Sequence, residues 1–459
     1  MGFRLRMPHT LVLMSTMMVL ALLLTWVLPA GRFETVRNDS GAELVVPGTF
    51  QRVPDPPRLW PWSLLLALPR AMSDAQDVIF FVFLISGVIA ILQKTGAIDA
   101  MIGFVLERFG NRWQLLILVA MSLFAVFSAS FGMSVEYLAF VGVLVALGSA
   151  LGLDRIAIVG VVVVGYGVGY GCALFNPFTV QIAQRIAELP PGSGMWYRAI
   201  LAGPFFLIGF HHVYRYAQRT IADPSSSLMV GVHQVDVNPS HEYPRLNHRH
   251  LLVLLAAVGT LMALIAGIVW LEWYLTELGA LFLALGLVAA AIARLSPNDT
   301  AQAFIDGATQ MTGTALLIGF ARSIALILED GMVLHTIVQG LALPLSLAPA
   351  SVSAVGMLLI QSLLNFFIPS GSGQAYATMP IMAPIGDLLD IQRQVTVLAY
   401  QFGDGFTNMI IPTNAVLMGI LGLAGIPYAR WFRFIMPLIL KLLAASAIAL
   451  IVAVAIGYQ

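Results

Sequence analysis

The stretch Asn365-Phe366-Phe367-Ile368-Pro369-Ser370-Gly371-Ser372-Gly373-Gln374 interrupts an apolar region that runs from 351 to 389. Backbone that leaves the helix at membrane depth strands amides and carbonyls away from water, and it is tolerated where it lines a cavity or an ion site. A helix that merely packs has no use for Pro369 followed by alternating glycines. The stretch therefore predicts a functional tip between two helical arms. Three other segments share its character: Ser128–Glu136 within 114–152, Gly165–Phe178 within 156–188, and Gln401–Asn414 within 395–424. All mix small residues with hydroxyls and amides. Small residues let a ligand approach the backbone, and hydroxyls, amides and free carbonyls can replace an ion's hydration shell. Helix N-termini at such breaks direct positive dipole ends at anions.

The surrounding chain is a membrane protein by composition. Of 459 residues, 59% are hydrophobic and 10% charged, against roughly 25% charged in ordinary soluble domains. Clear apolar spans run 11–28, 78–92, 200–210, 251–271, 278–293, 311–328 and 432–456. Lys plus Arg and Asp plus Glu balance at 23 each, which leaves no basic field for nucleic acid. The single cysteine, Cys172, excludes an internal disulfide and a cysteine metal site. Arg4 and Arg6 precede an apolar run longer than a signal-peptide core, without a small-x-small cleavage site, so a retained first helix is expected.

The breaks recur. At a shift of 235 residues, Gln93-Lys94-Thr95-Gly96 meets Leu328-Glu329-Asp330-Gly331, Ser130-Phe131 meets Asn365-Phe366, and Asn176-Pro177-Phe178 meets Ile411-Pro412-Thr413. The alternating glycines 165–171 meet Gly403-Asp404-Gly405 within a residue. Four coincidences at helix breaks suggest a duplicated unit. An odd number of crossings separates the copies, whether 114–152 enters and leaves on one side or crosses twice, so they are expected to be inverted. The predicted fold is an all-α polytopic membrane protein with inverted structural repeats, two re-entrant hairpins and two broken transmembrane helices. Its parts are a first helix and Pro-rich external loop (1–75), a first repeat (76–216; hairpin 114–152, broken helix 156–188), a cytoplasmic linker (217–250), two connecting helices (251–310) and a second repeat (311–459; hairpin 351–389, broken helix 395–424). Arginine and lysine bias predicts a cytoplasmic N-terminus in the inner (plasma) membrane and an external C-terminus.

Charges at membrane depth cost several kcal/mol each and mark function. Glu136 and Asp404 sit in broken segments of opposite halves, where they suit a proton relay, a sodium ligand or a cationic substrate. Arg322 suits either a substrate carboxylate or a structural bridge to one of these acids. Ser130, Ser134, Asn176, Asn365, Ser370, Ser372, Thr413 and Asn414 are candidate amide or hydroxyl ligands, with sodium expected near Asp404, Asn414 and Asn176. Enzyme motifs fail. Gln401-Phe402-Gly403-Asp404 misses the intramembrane aspartyl protease pattern, Ser370-Gly371-Ser372-Gly373 misses the rhomboid pattern, and neither H-E-x-x-H nor a phosphate loop occurs. No cofactor is expected beyond sodium or proton coupling. A passive channel is the rival class, although channels usually build pores from symmetric rings.

The segment Asn365 to Ala375, with Thr378-Met379-Pro380 and Ala383-Pro384-Ile385-Gly386-Asp387, resembles the YfcC family, and so does Arg393 to Phe406. That family belongs with the DcuC-type anaerobic dicarboxylate carriers. Phe131-Gly132-Met133 with Glu136, and Asn176-Pro177-Phe178, resemble its first-half motifs. The family often shows two adjacent acids where this chain has Val135 and Glu136. The resemblance implies a homodimeric secondary transporter in the lipid bilayer that moves a small-molecule substrate. Within that class the two acids favour an amino acid, foremost a basic one by exchange or cation-coupled uptake, and Arg322 favours a four-carbon dicarboxylate.

Overall fold

The computed structural model describes residues 10–37, 43–46, 48–109, 112–176, 178–190, 192–232, 244–271, 273, 275–342, 344–345 and 348–459. The chain opens with α1 (Thr10–Val27). Two antiparallel ribbons follow, β1 (Gly31–Arg32) with β4 (Gln51–Arg52) and β2 (Thr35–Arg37) with β3 (Glu43–Val45). The expected loop is thus partly paired strand. Next come α2 (Trp62–Asp74), α3 (Gln76–Lys94), α4 (Ala97–Phe109), α5 (Trp113–Phe131), a short 3-10 turn at Val135–Tyr137, α6 (Leu138–Ala150), α7 (Arg155–Gly171), α8 (Val180–Ile186) and α9 (Met195–Ala222). After the connector lie α10 (His248–Leu271) and α11 (Leu275–Ala293). The chain closes with α12 (Pro297–Thr309), α13 (Thr312–Asp330), α14 (Leu334–Ala342), α15 (Ala350–Phe367), α16 (Gly371–Leu388), α17 (Arg393–Thr407), α18 (Ala415–Leu423) and α19 (Tyr428–Ala455). The connector between 217 and 250 lies partly outside the described residues.

Large apolar side chains face outward on many of these helices, among them Leu207, Met262 and Leu440. An outward apolar surface of this extent belongs in lipid rather than water. Among the described residues, four helices can cross a membrane by length and composition: Trp113–Ser130, Thr276–Ala293, Ala350–Phe367 and Tyr428–Ala455. The pair α2–α3, bent by 58°, adds a fifth if counted as one span. Breaks and charges cut some of the apolar runs into shorter pieces. Arg155–Gly171, for example, is apolar but stops at 17 residues, and α13 carries Arg322, Glu329 and Asp330.

The same series of helices occurs twice. From α2 to α9 and from α12 to α19, each later element starts 233 to 238 residues after its earlier counterpart. The correspondence reaches one helix further upstream than the 235-residue coincidences alone, to α2 and α12. The packing is exchanged between the series. Helix α2 packs on α13 and its counterpart α12 on α3, while α8 packs on α16 and its counterpart α18 on α6. Helices α7 and α17 meet each other directly.

Local signals set the breaks. Helix α5 stops at Gly132, whose φ of 72° is the left-handed conformation that glycine adopts without a Cβ penalty. Ser370 caps α16 through the Gly373 amide, Asp154 caps α7 through Ala157, and Asn414 caps α18 through Leu417.

Candidate functional site

Four breaks converge on one cavity of about 310 Å³. The end of α5 contributes Gly132, Ser134, Val135 and Glu136, and the α15–α16 tip contributes Pro369 to Ser372. The broken helices contribute Tyr166, Tyr170 and Phe178 from the first half and Asn408, Asn414, Ala415 and Val416 from the second. The meeting is possible because α7 and α17 cross backbone to backbone. A Cβ on Gly405 would lie 2.4 Å from the Gly171 amide nitrogen and 2.5 Å from its Cα. The alternating glycines thus have a packing role. Gly165 and Gly169 admit α5 at Met121 and Ala125, while Gly167 and Gly171 admit Met409 and Phe406.

Glu136 is 8% exposed, and it accepts the Ser134 amide N–H at 2.8 Å. Asp404 does not line the cavity. It is fully buried one layer behind, and reaches the lining through amides. Asn408 Nδ2 donates to Asp404 Oδ1 at 3.1 Å, and Asn414 Nδ2 donates to Asn408 Oδ1 at 2.8 Å. Asn365 Nδ2 joins this chain, donating to the Asp404 carbonyl at 2.9 Å and to Thr407 Oγ1 at 2.8 Å. Gly371 closes the other side, where an added Cβ would come 3.1 Å from Asp404 Oδ2. Tyr170, on the last turn of α7, lines the cavity, and its backbone carbonyl accepts from Gln401 Nε2 of the second half at 2.5 Å.

The sequence candidates therefore separate. Ser134, Glu136, Ser370, Ser372 and Asn414 line the cavity. Asn365 and Asp404 stand directly behind it. Asn176 is buried beside Gly132, with its Oδ1 accepting the Phe178 amide at 2.9 Å. Thr413 donates to the Phe366 carbonyl at 2.8 Å and so pins the tip to the break. Ser130 turns the other way, into an apolar cavity of about 240 Å³ beside α7 and α9. Arg322 is not brought to the site and bridges neither Glu136 nor Asp404. Its guanidinium bonds Asp74 through Nε and Glu329 through Nη1 at 3.1 Å. The amides and carboxylates near sodium's expected place split likewise, with Asp404 and Asn414 connected through Asn408 and Asn176 across the cavity in the first half.

Sequence reasoning missed Asn408, Tyr166 and Tyr170 as lining residues. Asn408 lies one helical turn after Asp404, a spacing that was open to reading. The tyrosines alternate with glycines in a run that looked like packing. Tyr166 is 2% exposed, and its hydroxyl has no partner among the described residues. A buried polar atom without a partner costs about 1–3 kcal/mol, so such atoms mark strain or ligand contact.

A helical body with an apolar exterior, enclosing a polar cavity at paired helix breaks, defines a membrane transporter. The chain belongs to the DcuC family, C4-dicarboxylate anaerobic carrier, whose profile matches residues 7–455. It is 32% identical to the Escherichia coli (strain K12) protein "Putative basic amino acid antiporter YfcC", over 99% of this chain and 97% of that one. It is 31% identical to an uncharacterized protein of Haemophilus influenzae, over 90% of this chain and 82% of that one. Solved structures that it matches include the Alcanivorax borkumensis YdaH transporter, with a TM-score of 0.43 and 18% identity over 98% of this chain and 99% of that one. Another is Neisseria gonorrhoeae MtrF, with a TM-score of 0.42 and 19% identity over 98% and 96%.

Proposed function

We propose that the protein is a secondary carrier of a small charged metabolite, an amino acid and foremost a basic one, working by exchange or by cation-coupled uptake. One observation carries the choice. The cavity lining includes the carboxylate Glu136 and no lysine, arginine or histidine among the described residues. In a low-dielectric enclosure a dianion without a countercharge is disfavoured, and a guanidinium or ammonium beside Glu136 is favoured. The name of the Escherichia coli relative agrees with this choice. The second reading is a four-carbon dicarboxylate, coupled to sodium or protons. The family description favours it, and so do the starts of α16 and α18, whose first residues line the cavity with their amide ends.

In this proposal the two helix series are inverted repeats, α5–α6 and α15–α16 are re-entrant hairpins, and two copies form a homodimer in the inner membrane with the N-terminus cytoplasmic. The exchanged packing of α2 with α13 and α12 with α3 supports a two-fold relation between the series. Asp404 is assigned to a coupling sodium or proton, and Glu136 to the substrate's cationic group.

Liposomes containing the purified protein and preloaded with arginine, with succinate or with nothing test the substrate. Arginine entry that requires internal arginine establishes basic amino-acid exchange. Succinate entry driven by a sodium gradient replaces it with the dicarboxylate reading. Large, non-saturating currents in planar bilayers overturn both in favour of a channel.

A further inference from the structure

Behind the tip of α16, four side-chain oxygens are buried and accept no hydrogen bond among the described residues. They are Asn365 Oδ1 on α15, Gln374 Oε1 on α16, and Gln401 Oε1 and Asp404 Oδ2 on α17. All four residues are at 0% exposure. Their amides are not free to reverse. Asn365 Nδ2 donates to the Asp404 carbonyl at 2.9 Å, Gln374 Nε2 to the Gln361 carbonyl at 2.9 Å, and Gln401 Nε2 to the Tyr170 carbonyl at 2.5 Å. A backbone carbonyl only accepts, so each amide must give it the nitrogen and turn its oxygen elsewhere. The three helices that carry these oxygens pack on one another. Gln401 and Asp404 are three residues apart on one helical face. Gly371, one turn before Gln374, lies against Asp404 Oδ2, and Gln361, one turn before Asn365, lies against Gly403.

A proton on Asp404 would supply one donor and leave two of the three amide oxygens unmatched. A bare cation accepts lone pairs from all of them at once. One carboxylate among neutral amide oxygens suits a hard ion of single charge. No group of three or more His, Cys, Asp or Glu side chains stands together among the described residues to hold a transition metal. We infer that α15, α16 and α17 enclose a sodium site formed by Asp404, Gln401, Gln374 and Asn365, separated from the substrate cavity by the tip Ser370–Ser372. Its use as the coupling site rests on the carrier reading above; its existence does not. Asn176 and Asn414 fall outside it.

The full-length purified protein is melted in sodium chloride and in choline chloride at equal ionic strength. Sodium should raise the midpoint in a saturable way, because it binds the folded state. Gln401→Leu and Gln374→Leu should each raise the half-saturating sodium concentration by about tenfold or more. Equal midpoints for the wild type in the two salts overturn the site and need no variant. Equal midpoints together with sodium-independent arginine exchange discard the site and keep the carrier. Sodium stabilisation without arginine or succinate movement keeps the site and discards the substrate reading.

Discussion

Asp404 holds one oxygen on Asn408 and leaves the other without a donor at the backbone of Gly371. A carboxylate so placed senses both the tip and the cavity wall. Asp404→Asn should lower coupled uptake by on the order of 100-fold, the scale of a strong coupling energy, while expression stays intact. Normal labelled-arginine exchange by that variant would remove the role. Arg322 makes the opposite case. Its partners Asp74 and Glu329 lie away from the cavity, with side-chain exposures of 47% and 39%. Exposed pairs contribute roughly 0–1 kcal/mol, so Arg322→Gln should change transport by less than about twofold. Loss of succinate uptake in that variant would return the residue to the substrate site. The sequence made Glu136 and Asp404 legible because acids in apolar runs are rare. It could not disclose Arg322's partner, since Asp74 is 248 positions away. Nor could it separate Ser130 from Ser134, because only the left-handed turn at Gly132 decides which one faces the cavity.

Among elements, the paired breaks were the readable part. Pro369 and the surrounding glycines marked the tip, and the cap residues Ser370 and Asn414 start the helices that follow. The lengths of α2 and α12 were less accessible, because Pro69 and Arg70 interrupt the apolar run of α2 and polar residues dominate α12. The crossing of α7 and α17 lends itself to a graded test. In Gly405→Ala the new methyl meets Gly171 backbone, which has no rotamer to escape through. The variant should lose roughly 3 kcal/mol or more of stability, read as a collapsed monodisperse peak on size exclusion after mild heating. Gly203→Ala on α9 has nothing within 4 Å of its added carbon. It should be neutral or stabilising by about 0.5–1 kcal/mol. Equal behaviour of the two variants would count against the crossing.

At the level of the whole molecule, the exchanged contacts bind the two helix series together. Helix α2 buries itself on α13, and α12 on α3, so each series completes the other. The chain cut within 233–243 and expressed as two polypeptides should therefore assemble into an active carrier, whereas either piece alone should fail to accumulate. Co-purification of the pieces through a tag on one of them is the measurement, and independent accumulation of a single piece would contradict it. Sequence alone made the duplication visible at 235 residues. The mutual burial was out of its reach, because apolar helices look alike whichever neighbour they cover.

The contact of Gly171 with Gly405 also bears on how such a carrier can change over generations. Where backbone touches backbone there is no side chain to vary, and almost any substitution is ruinous. Innovation in cargo must then come from the rim, where Ser134, Val135, Glu136, Ser372 and Asn408 each present a replaceable group. A lineage could trade one metabolite for another by a few exchanges there while the crossing stays the same, which sets a rigid centre beside an adaptable edge.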